Sequence, residues 1–490
     1  MNGSAADRQA SISRRQFLVH SGLASVSIAS IAGSAGSQHR QKSHPNIVLI
    51  YADDLGWNDA GCYGNPVVKT PNTDRIAEEG VRFTRAYVTS PSCSASRASL
   101  LTGRYPHTHG VKSLIQWHVP WIKAMPFWYK GMEERTYRHS LKRSETVMPQ
   151  TFKKLGYATA LLGKWHVSVD APTEWDVDEV NPDPADFFAR NRTNPFFFCY
   201  CPDHTHRPFK KSQDFLYDPA EIPLPPYFNE DAELRSHLAD YYSAVSNQDR
   251  EIGKILGALD ENDLVENTIV ILSSDNGPPF ARSKTTLYDW GVHTPLLVRY
   301  PARLKAGTVV DALASTIDVF PTLLELLGEP IPERLQGVSL LGAMEDARKT
   351  AREAVFCEAN CHIYYNVMRS VRTDRWEYIK NFTPEAPYYD IPKNVPENIR
   401  RLLENEFVGL KSLKTPMSTP PNRPVEELFD MKADPLESRN LVEVPDHQST
   451  LAEMRQRLER WMRLTNDDPM ADVEPYSEYR RLVQQDSSVK

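Results

Sequence analysis

Apolar runs that end in polar residues recur through the first 280 residues of the chain. Four of them have the uninterrupted apolar character of strands buried on both faces, and they lie at 44–52, 158–162, 194–201 and 268–274. The polar residues that follow are Asp53 and Asp54, Lys164 and His166, His204 and His206, and Asp275 and Asn276. Ligand sites in open α/β sheets lie at the carboxyl ends of strands, so we expect these side chains at one edge.

Segments with a helical period separate these runs. The pattern predicts helices at 71–82, 151–157 and 234–259, the first with Ile76, Ala77 and Val81 on one face. Alternating strands and helices are typical of a mostly parallel sheet covered by helices on both faces. The larger part of the chain is therefore predicted to be an α/β domain with a large, mixed, mostly parallel sheet.

Near residue 351 the pattern changes. It predicts a hairpin over 368–382 that turns at Thr373-Asp374, a strand at 427–430 and a closing helix at 451–464. The inner stripe of that helix consists of Leu451, Met454, Leu458 and Trp461. We therefore predict an α/β domain over 44–350, a smaller C-terminal α+β domain with an antiparallel sheet over 351–475, and a polar tail over 476–490.

Residues 1–43 have the pattern of a targeting segment. The stretch Ser-Arg-Arg-Gln-Phe-Leu, 13–18, precedes a weakly apolar run over 17–32 and a group of small residues at 33–36. This pattern is similar to a twin-arginine export signal, and the alternative is a membrane anchor. Because the apolar run is shorter than the ~20 residues a span needs, we expect cleavage and export by the twin-arginine machinery, to the periplasm or exterior of a bacterium.

Composition narrows the function classes. The chain carries a net charge of −7 and has no long basic run, which argues against nucleic acid as a partner. Its six cysteines are Cys62, Cys93, Cys199, Cys201, Cys357 and Cys361, and no paired Cys-x-x-Cys motifs suggest structural zinc. Cys199 and Cys201 are two apart on a predicted strand, which favours core packing, while a Cys357–Cys361 bond is left open.

Two of the strand-end groups allow more than one interpretation. Asp53 and Asp54 are either a solvated turn or a pair of metal ligands, because adjacent buried carboxylates need a cation to neutralise them. His204 and His206 are metal ligands, acid–base groups or surface residues. Lys284 lies nine residues beyond Asp275.

The stretch from Cys93 to Arg104 predicts a short helix that begins at the cysteine and stops at Thr102-Gly103. Free N–H groups and the helix dipole stabilise an oxyanion placed beside Cys93, and Arg97 adds a cation one turn later. Taken alone, a cysteine here is more often simply a buried residue ahead of a short helix. The surrounding motif decides between the two.

This stretch resembles the type I sulfatases. Their motif is Cys-x-Pro-x-Arg followed by Thr-Gly-Arg, and a maturation enzyme oxidises the cysteine to formylglycine. Ala95 stands where the proline is usual, and matching segments recur from about Pro45 to the C-terminal helix. The resemblance implies an alkaline-phosphatase-like fold, with 44–350 as the catalytic sulfatase domain.

The resemblance also implies a site and roles for its residues. Asp53, Asp54, Asp275, Asn276 and an oxygen of the modified Cys93 would hold one divalent cation, and these hard oxygen donors suit calcium better than magnesium. Arg97 would help to activate the formylglycine hydrate, and Lys164 and Lys284 would bind sulfate oxygens. His206 would protonate the leaving group, and His166 would take a proton to release sulfate.

Within the family the likeness is to the N-sulfoglucosamine sulfohydrolases, the heparan N-sulfatases. It rests on the motif at Cys93 and on the stretches at 274–280, 285–288 and 368–371, although Lys284 replaces their arginine. The expected substrate is an N-sulfated glucosamine of heparin or heparan sulfate. The alternatives are an O-sulfatase on another sugar, a phosphomonoester or phosphonate hydrolase of the same superfold, and a non-catalytic glycan-binding protein.

Residues 112–146 form an aromatic and basic segment directly after the Cys93 helix. Its aromatic residues include Trp117, Trp121, Phe127, Trp128 and Tyr129, and its cations include Lys123, Lys130, Arg135 and Arg138. Aromatic faces suit sugar rings and the cations suit their sulfates, which predicts a sugar-binding platform. The alternative is that the aromatic residues cover the sheet as core.

Overall fold

A computed structural model describes residues 44–115, 140–168, 170–362, 365–385, 404, 408–414 and 423–473. Three predictions lie outside these ranges. They are the export signal within 1–43, the sugar platform, whose aromatic residues all fall within 116–139, and the polar tail over 476–490.

A large mixed sheet organises the first two thirds of the chain. Its strands are β1 (Asn46–Ala52), β2 (Val81–Tyr87), β3 (Ala158–Gly163), β4 (Glu179–Val180), β5 (Phe196–Cys201), β6 (Thr268–Ser274), β7 (Leu296–Arg299) and β8 (Thr308–Ser315). They are ordered β4-β3-β5-β1-β6-β7-β2-β8. Strands β4, β3, β5, β1 and β6 run parallel to one another, whereas β7 pairs antiparallel with both β6 and β2. The predicted mostly parallel sheet is confirmed.

Helices pack on this sheet and connect its strands. They are α1 (Pro71–Glu78), α2 (Cys93–Thr102), α3 (Pro106–His109), α4 (Met148–Lys154), α5 (Pro184–Arg190), α6 (Ala232–Glu261), α7 (Asp289–Val292), α8 (Val319–Leu327) and α9 (Leu341–Glu345). Along β1, Ile47, Leu49 and Tyr51 belong to one apolar cluster, and Val48 and Ile50 belong to another. Both faces of the central strand are therefore covered, as its uninterrupted apolar run predicts.

The helix predicted over 71–82 is shorter than the periodic pattern suggests. Helix α1 ends at Glu78, and Val81 is the first residue of β2, where it pairs with Val298 of β7. A Cβ at Gly80 would lie 2.5 Å from the backbone oxygen of Val298, so the chain passes too close to β7 there for any side chain. The placement of Val81 on the helix was wrong because one apolar residue fits either period.

The C-terminal part forms a separate antiparallel sheet. Its strands are β9 (Val355–Cys361), β10 (Tyr365–Arg372), β11 (Trp376–Asn381) and β12 (Glu426–Asp430), in the order β12-β11-β10-β9. Helix α10 (Gln448–Thr465) closes it and buries the four predicted apolar residues, Leu451, Met454, Leu458 and Trp461. The predicted hairpin, strand and closing helix are confirmed.

The structure shows the state of the cysteines and the character of the helices within the described ranges. All six cysteines are free, and Cys199 and Cys201 are buried with their sulfurs 3.5 Å apart. Cys357 and Cys361 lie on the same strand and are not bonded to each other. No helix within the described ranges is both long and apolar enough to cross a bilayer.

Candidate active site

The sheet order brings the predicted strand-end residues to one edge. Strands β3, β5, β1 and β6 are consecutive neighbours and all run in the same direction, so their carboxyl ends meet. Directly beyond these ends lie Asp53 and Asp54 after β1, Lys164 and His166 after β3, His206 after β5, and Asp275 and Asn276 after β6. The edge therefore carries acidic, basic and imidazole groups together.

Helix α2 brings Cys93 to this edge. The helix begins at Cys93 and ends where Gly103 takes the left-handed conformation, φ +66°, as the Thr-Gly pair predicts. The Cys93 sulfur is fully buried, 3.9 Å from Asp54 Oδ1 and 3.6 Å from Asn276 Oδ1. The thiol thus lies among the oxygen donors rather than in the hydrophobic core.

An unmodified Cys93 is a poor nucleophile at this position. Burial raises its pKa well above the ordinary value, although the positive charges of Lys164 and Lys284 oppose that effect. A thiol, unlike a thiolate, has little nucleophilic reactivity at neutral pH. The charged surroundings of Cys93 therefore do not serve to activate the thiol itself.

Three carboxylates and three cations are paired at the edge. Arg97 Nη2 lies 2.7 Å from Asp275 Oδ2, Lys164 Nζ lies 2.5 Å from Asp53 Oδ2, and Lys284 Nζ lies 2.9 Å from Asp54 Oδ2. The three acids and Arg97 are at most 1% exposed, and Lys284 is 4% exposed. Their charges sum to zero, which makes the burial of so many ions tolerable.

Asp53 and Asp275 differ in how readily they bind a proton. Burial favours the neutral form of Asp53, but the positive charges of Lys164, His206 and Arg97 outweigh it and hold the pKa of Asp53 well below its usual range. Burial and the negative charge of Asp53 raise the pKa of Asp275 well above its usual range, although Arg97 opposes this. Like-charge crowding of this kind is what a bound cation relieves.

The donor set fits a divalent metal ion. One ligand atom from each of Asp53, Asp54, Cys93 and Asp275 lies within 4.8 Å of the others. Asp53 Oδ1 is buried without a hydrogen bond, and its distance to Arg97 Nη2 is 3.6 Å. Carboxylate and amide oxygens are the ligands of calcium and magnesium rather than of copper or zinc. The residues present therefore match a hard cation.

The two predicted histidines differ in their surroundings. A ring nitrogen of His206 lies within 4.8 Å of a carboxylate oxygen of Asp53 and of the Cys93 sulfur, and its Nδ1 donates to the carbonyl of Arg207 over 2.7 Å. His166 Nε2 donates to the carbonyl of Ile115, and His166 Nδ1 is buried without a hydrogen bond. Burial and then the charge of Lys164 hold the pKa of His166 well below its usual range. His166 is therefore a neutral base.

His204, the third histidine suggested by the sequence, lies on the same loop after β5 but does not join these groups. Burial is the main cause that lowers the pKa of His204, and the charges that act on it most are those of Asp203 and Lys210. Within the described residues it is thus a loop histidine, one of the interpretations that its sequence position allowed.

Several residues that shape the edge were not foreseen. Thr205 Oγ1 donates to the carbonyl of Asp53, and Tyr241 of α6 donates to the carbonyl of Asp54 over 3.0 Å. The same hydroxyl lies 2.8 Å from Asp59 Oδ2. A polar tyrosine inside the apolar face of α6 was the one available signal, since a buried hydroxyl needs a partner.

Comparison with known proteins decides the family. The sulfatase family model matches residues 45–180 and 172–329, more than half of the chain. The chain belongs to the sulfatase family. A second model, for the C-terminal region of N-sulphoglucosamine sulphohydrolase, matches residues 282–415. The sulfatase is thus a sulfuric ester hydrolase with an N-sulphoglucosamine-sulphohydrolase-like C-terminal region, and the predicted membership of the type I sulfatases is confirmed.

Curated relatives agree with this membership. An ulvan-active sulfatase of Formosa agariphila is 29% identical over 480 residues, covering 89% of this chain and 78% of the relative. Human arylsulfatase A is 29% identical over 391 residues, covering 64% and 70%. Canine N-acetylgalactosamine-6-sulfatase is 29% identical over 378 residues, covering 63% and 67%.

Solved structures confirm the fold. A protein in complex with its substrate D-glucosamine-2-N,6-O-disulfate has a TM-score of 0.64 at 19% identity, over 87% of this chain and 99% of the other. A 2-O glycosaminoglycan sulfatase has a TM-score of 0.64 at 22% identity, over 88% and 94%. The phosphonate monoester hydrolase of Agrobacterium radiobacter has the same TM-score at 18% identity, over 86% and 96%. At these identities the likeness concerns the fold alone.

Proposed function

We propose that this sulfatase removes the N-sulfate from glucosamine in a heparin- or heparan-type glycan. The match of residues 282–415 to the C-terminal model of N-sulphoglucosamine sulphohydrolase carries this proposal. It is supported by the fold shared with a protein whose substrate is D-glucosamine-2-N,6-O-disulfate. Both observations point to a sulfated amino sugar.

The charge balance of the active-site edge supports a sulfate substrate together with a divalent metal. When a bound dication keeps all three aspartates ionised, Asp53, Asp54 and Asp275 carry three negative charges against the three positive charges of Arg97, Lys164 and Lys284. Calcium at Asp53, Asp54, Asp275 and Asn276 would supply a Lewis acid for the nucleophile and the sulfate oxygens. A dication and a released sulfate dianion together add no net charge, so the buried site can hold both.

Formylglycine made from Cys93 would supply a hydrated aldehyde, one hydroxyl of which can attack sulfur while the amine leaves. Loss of a proton from the other hydroxyl would then expel sulfate and restore the aldehyde. This assignment is supported by the protonated state of the buried thiol, which makes an unmodified Cys93 unreactive. It is also supported by the contacts of Cys93 with Asp54 and Asn276, which belong to the proposed metal ligands.

The lysines and Arg97 act on charge. Lys164 and Lys284 each bind an aspartate that a metal ion would neutralise, so their ammonium groups become available for the oxygens of the sulfate. Cations positioned where negative charge develops stabilise the transition state most strongly. Arg97 stays with Asp275 and Asp53 and keeps the ligand carboxylates in place beside Cys93.

The histidines transfer protons in opposite directions. His206 lies within 4.8 Å of Asp53 and of Cys93, so its ring can donate a proton to the leaving amine. His166 has its Nε2 hydrogen held by the carbonyl of Ile115, which leaves Nδ1 as the acceptor for a proton. Its neutral state suits a general base.

A specific observation also favours O-sulfate hydrolysis as a second candidate. Relatives at 28–29% identity include the N-acetylgalactosamine-6-sulfatases and the ulvan-active sulfatases, and a structural neighbour is a 2-O glycosaminoglycan sulfatase. The phosphonate hydrolase shares the fold at 18% identity, which does not favour its reaction over that of the sulfatases.

Sulfate release from matched monosaccharides tests the proposal. Glucosamine N-sulfate, glucosamine 6-O-sulfate and N-acetylgalactosamine 6-O-sulfate should be compared at equal concentrations, with a phenyl phosphonate ester as a fourth substrate. We expect the highest kcat/KM on the N-sulfate. Preference for either O-sulfate would replace the N-sulfatase proposal by the O-sulfatase one, and preference for the phosphonate would contradict both.

We further propose that the sulfatase is exported to the periplasm or beyond and is matured by a formylglycine-generating enzyme. The twin-arginine pattern at 13–18 and the Cys93 motif support this. Replacing Arg14 and Arg15 with lysine should retain the protein in the cytoplasm of a host with a twin-arginine pathway. Normal export of that variant would contradict the proposed route.

A further inference from the structure

The chain turns sharply where β1 delivers its two aspartates. Asp54 has φ +61°, in the left-handed region that is unfavourable for a residue with a Cβ. On the amide side, Asp54 N donates to Asp275 Oδ1 over 3.1 Å, and Leu55 N donates to Ser274 Oγ over 2.9 Å. A strained turn at a functional site persists only when its surroundings hold it.

The carbonyl side of the same turn is held by one residue of α6. The hydroxyl of Tyr241, a fully buried side chain, lies 3.0 Å from Asp54 O and accepts from Gly56 N over 3.3 Å. The same hydroxyl lies 2.8 Å from Asp59 Oδ2. A single phenol therefore binds the backbone on both sides of Leu55.

The hydrogen count explains why Asp59 belongs to this arrangement. Tyr241 has one hydroxyl hydrogen, and Asp54 O can only accept, so the bond to Asp54 needs that hydrogen. Asp59 then satisfies the phenol as a donor, and burial raises its pKa to about 6, so the protonated form dominates below about pH 6. The chain Asp59 to Tyr241 to Asp54 is thus complete when Asp59 donates.

Neighbouring atoms also leave little space around the turn. A Cβ added at Gly56 would lie 2.3 Å from Asp59 Oδ2 and 2.9 Å from Cδ of Pro278. Pro278 follows Asn276 by two residues, so the loop after β6 packs on the loop after β1. A shift of the Asp54 backbone would therefore disturb both halves of the proposed ligand set.

We propose that Tyr241, oriented by Asp59, is a positioning residue that holds the Asp54 turn so that the ligand carboxylates can share one cation. The inference rests on the proposed metal site at Asp53, Asp54, Asp275 and Asn276. It adds to that site a tyrosine from a helix that contributes no ligand. Tyr241 acts through the backbone of Asp54 and touches neither substrate nor metal.

The test compares two neighbouring tyrosines of α6. Tyr241→Phe removes the hydroxyl that binds the turn, whereas Tyr242→Phe removes the hydroxyl of a neighbouring buried tyrosine, which accepts from Asn65 Nδ2 over 3.2 Å instead. Calcium binding is measured by calorimetry on the purified chain after treatment with a chelator. Loss of a partner that orients a metal ligand weakens metal binding by about 10- to 100-fold, and we expect this for Tyr241→Phe but not for Tyr242→Phe.

Activity provides a second readout that a merely structural role would not move. The kcat of Tyr241→Phe should recover as calcium is raised to saturation, because the fault lies in metal binding. Asp59→Asn keeps a donor for the phenol and should bind calcium like the wild type, while Asp59→Ala should resemble Tyr241→Phe.

Wild-type affinity in Tyr241→Phe, or an equal loss in Tyr242→Phe, would overturn the proposal. Equal behaviour of Asp59→Asn and Asp59→Ala would overturn the part assigned to Asp59. A wild-type chain that binds no calcium would instead overturn the proposed metal site, so the two failures are distinguishable.

Discussion

Two regions of the molecule bury several charged groups, and they neutralise them differently. At the active-site edge, three aspartates face Arg97, Lys164 and Lys284. In the second region, which we name the Arg372 cluster, Asp289, Glu377 and Glu437 surround the single guanidinium of Arg372. The first region has one cation for each acid, and the second has an excess of acids.

The Arg372 cluster resolves its excess with protons. Burial raises the pKa of Glu377 well above its usual range, and the neighbouring charge of Glu437 adds to this although Arg372 opposes it. Burial also raises the pKa of Glu437. The cluster joins α7 of the large domain to β10 and β11 of the C-terminal sheet, so its protons stabilise a junction.

The comparison teaches that buried acids alone do not identify a metal site. Two of the cations at the active-site edge are lysine ammonium groups on flexible stems, which we expect a bound metal ion to displace from their aspartates. The Arg372 cluster contains a planar guanidinium, and the pKa values of its two glutamates, Glu377 and Glu437, are raised. Only at the active-site edge do we expect a metal ion to replace the cations that pair with the aspartates.

The largest expected effect is a loss of kcat, and it compares a cysteine substitution at the active-site edge with one in the C-terminal sheet. Cys93→Ala should lower kcat by more than about 1,000-fold, because the proposed nucleophile is removed. Cys357→Ala, at a buried cysteine of β9, should keep turnover while lowering the melting temperature. Sulfate-release assays and thermal unfolding measure both.

Substantial activity in Cys93→Ala would contradict the mechanism. Peptide mass spectrometry of the wild type provides the control, since formylglycine at Cys93 differs in mass from cysteine.

Metal removal should have the second-largest effect on activity. Chelation is expected to abolish nearly all sulfate release, and calcium should restore it better than zinc, because the ligands are oxygens. The Arg372 cluster lacks this exchange, so its contribution to the melting temperature should not change on chelation. A fully demetallated preparation with normal turnover would show that the site is misassigned.

Paired arginine substitutions compare the regions directly. Arg97→Met and Arg372→Met each leave buried carboxylates without a cation, which should cost about 3–5 kcal/mol of unfolding free energy. Saturating calcium should narrow the gap between Arg97→Met and the wild type, because a dication replaces the lost charge. The gap for Arg372→Met should stay constant in urea unfolding with and without calcium. Equal rescue of both variants would remove the distinction.

The smallest effect concerns protons beside the Arg372 cluster. Burial raises the pKa of Glu427 to about 7, and Tyr288 donates to this carboxylate over 2.9 Å. The folded state therefore holds the proton more tightly than the unfolded chain, so this stability is fully present below about pH 4.5 and is lost as the pH rises through 7. Glu427→Gln should remove this part of the pH dependence, which amounts to an unfolding free energy on the order of 1–3 kcal/mol.

Urea unfolding from pH 5 to pH 8 checks this, with the wild type measured in parallel. Other titrating groups contribute equally to both proteins, so the difference between the two curves isolates Glu427. A difference that does not vary with pH would contradict the raised pKa.

Much of the fold was predictable because its signals are local. The strand at 268–274 and the helix that begins at Cys93 have the predicted bounds, since continuous apolar runs and a Thr-Gly stop depend on neighbouring residues only. Val81 was misplaced because its strand is defined by pairing with Val298, more than 200 residues away. Periodicity carries no information about such a partner.

The sequence by itself determined which chemistry the chain can carry. The motif at Cys93, with Arg97 one turn later, indicates the family, and four of the strands are followed by the residues proposed for the site. These features are local in sequence, so they can be recognised from the sequence alone. The sequence did not show which strands lie next to each other in the sheet.

The tertiary structure decided which charges meet and how each is neutralised. The pairing of Asp53 with Lys164 and of Asp54 with Lys284 follows from the order β3-β5-β1-β6, which no residue pattern encodes. The support of Asp54 by Tyr241 joins positions 187 residues apart. Electrostatic and hydrogen-bond energies depend on distance in space, and the sequence specifies that distance only through the completed fold.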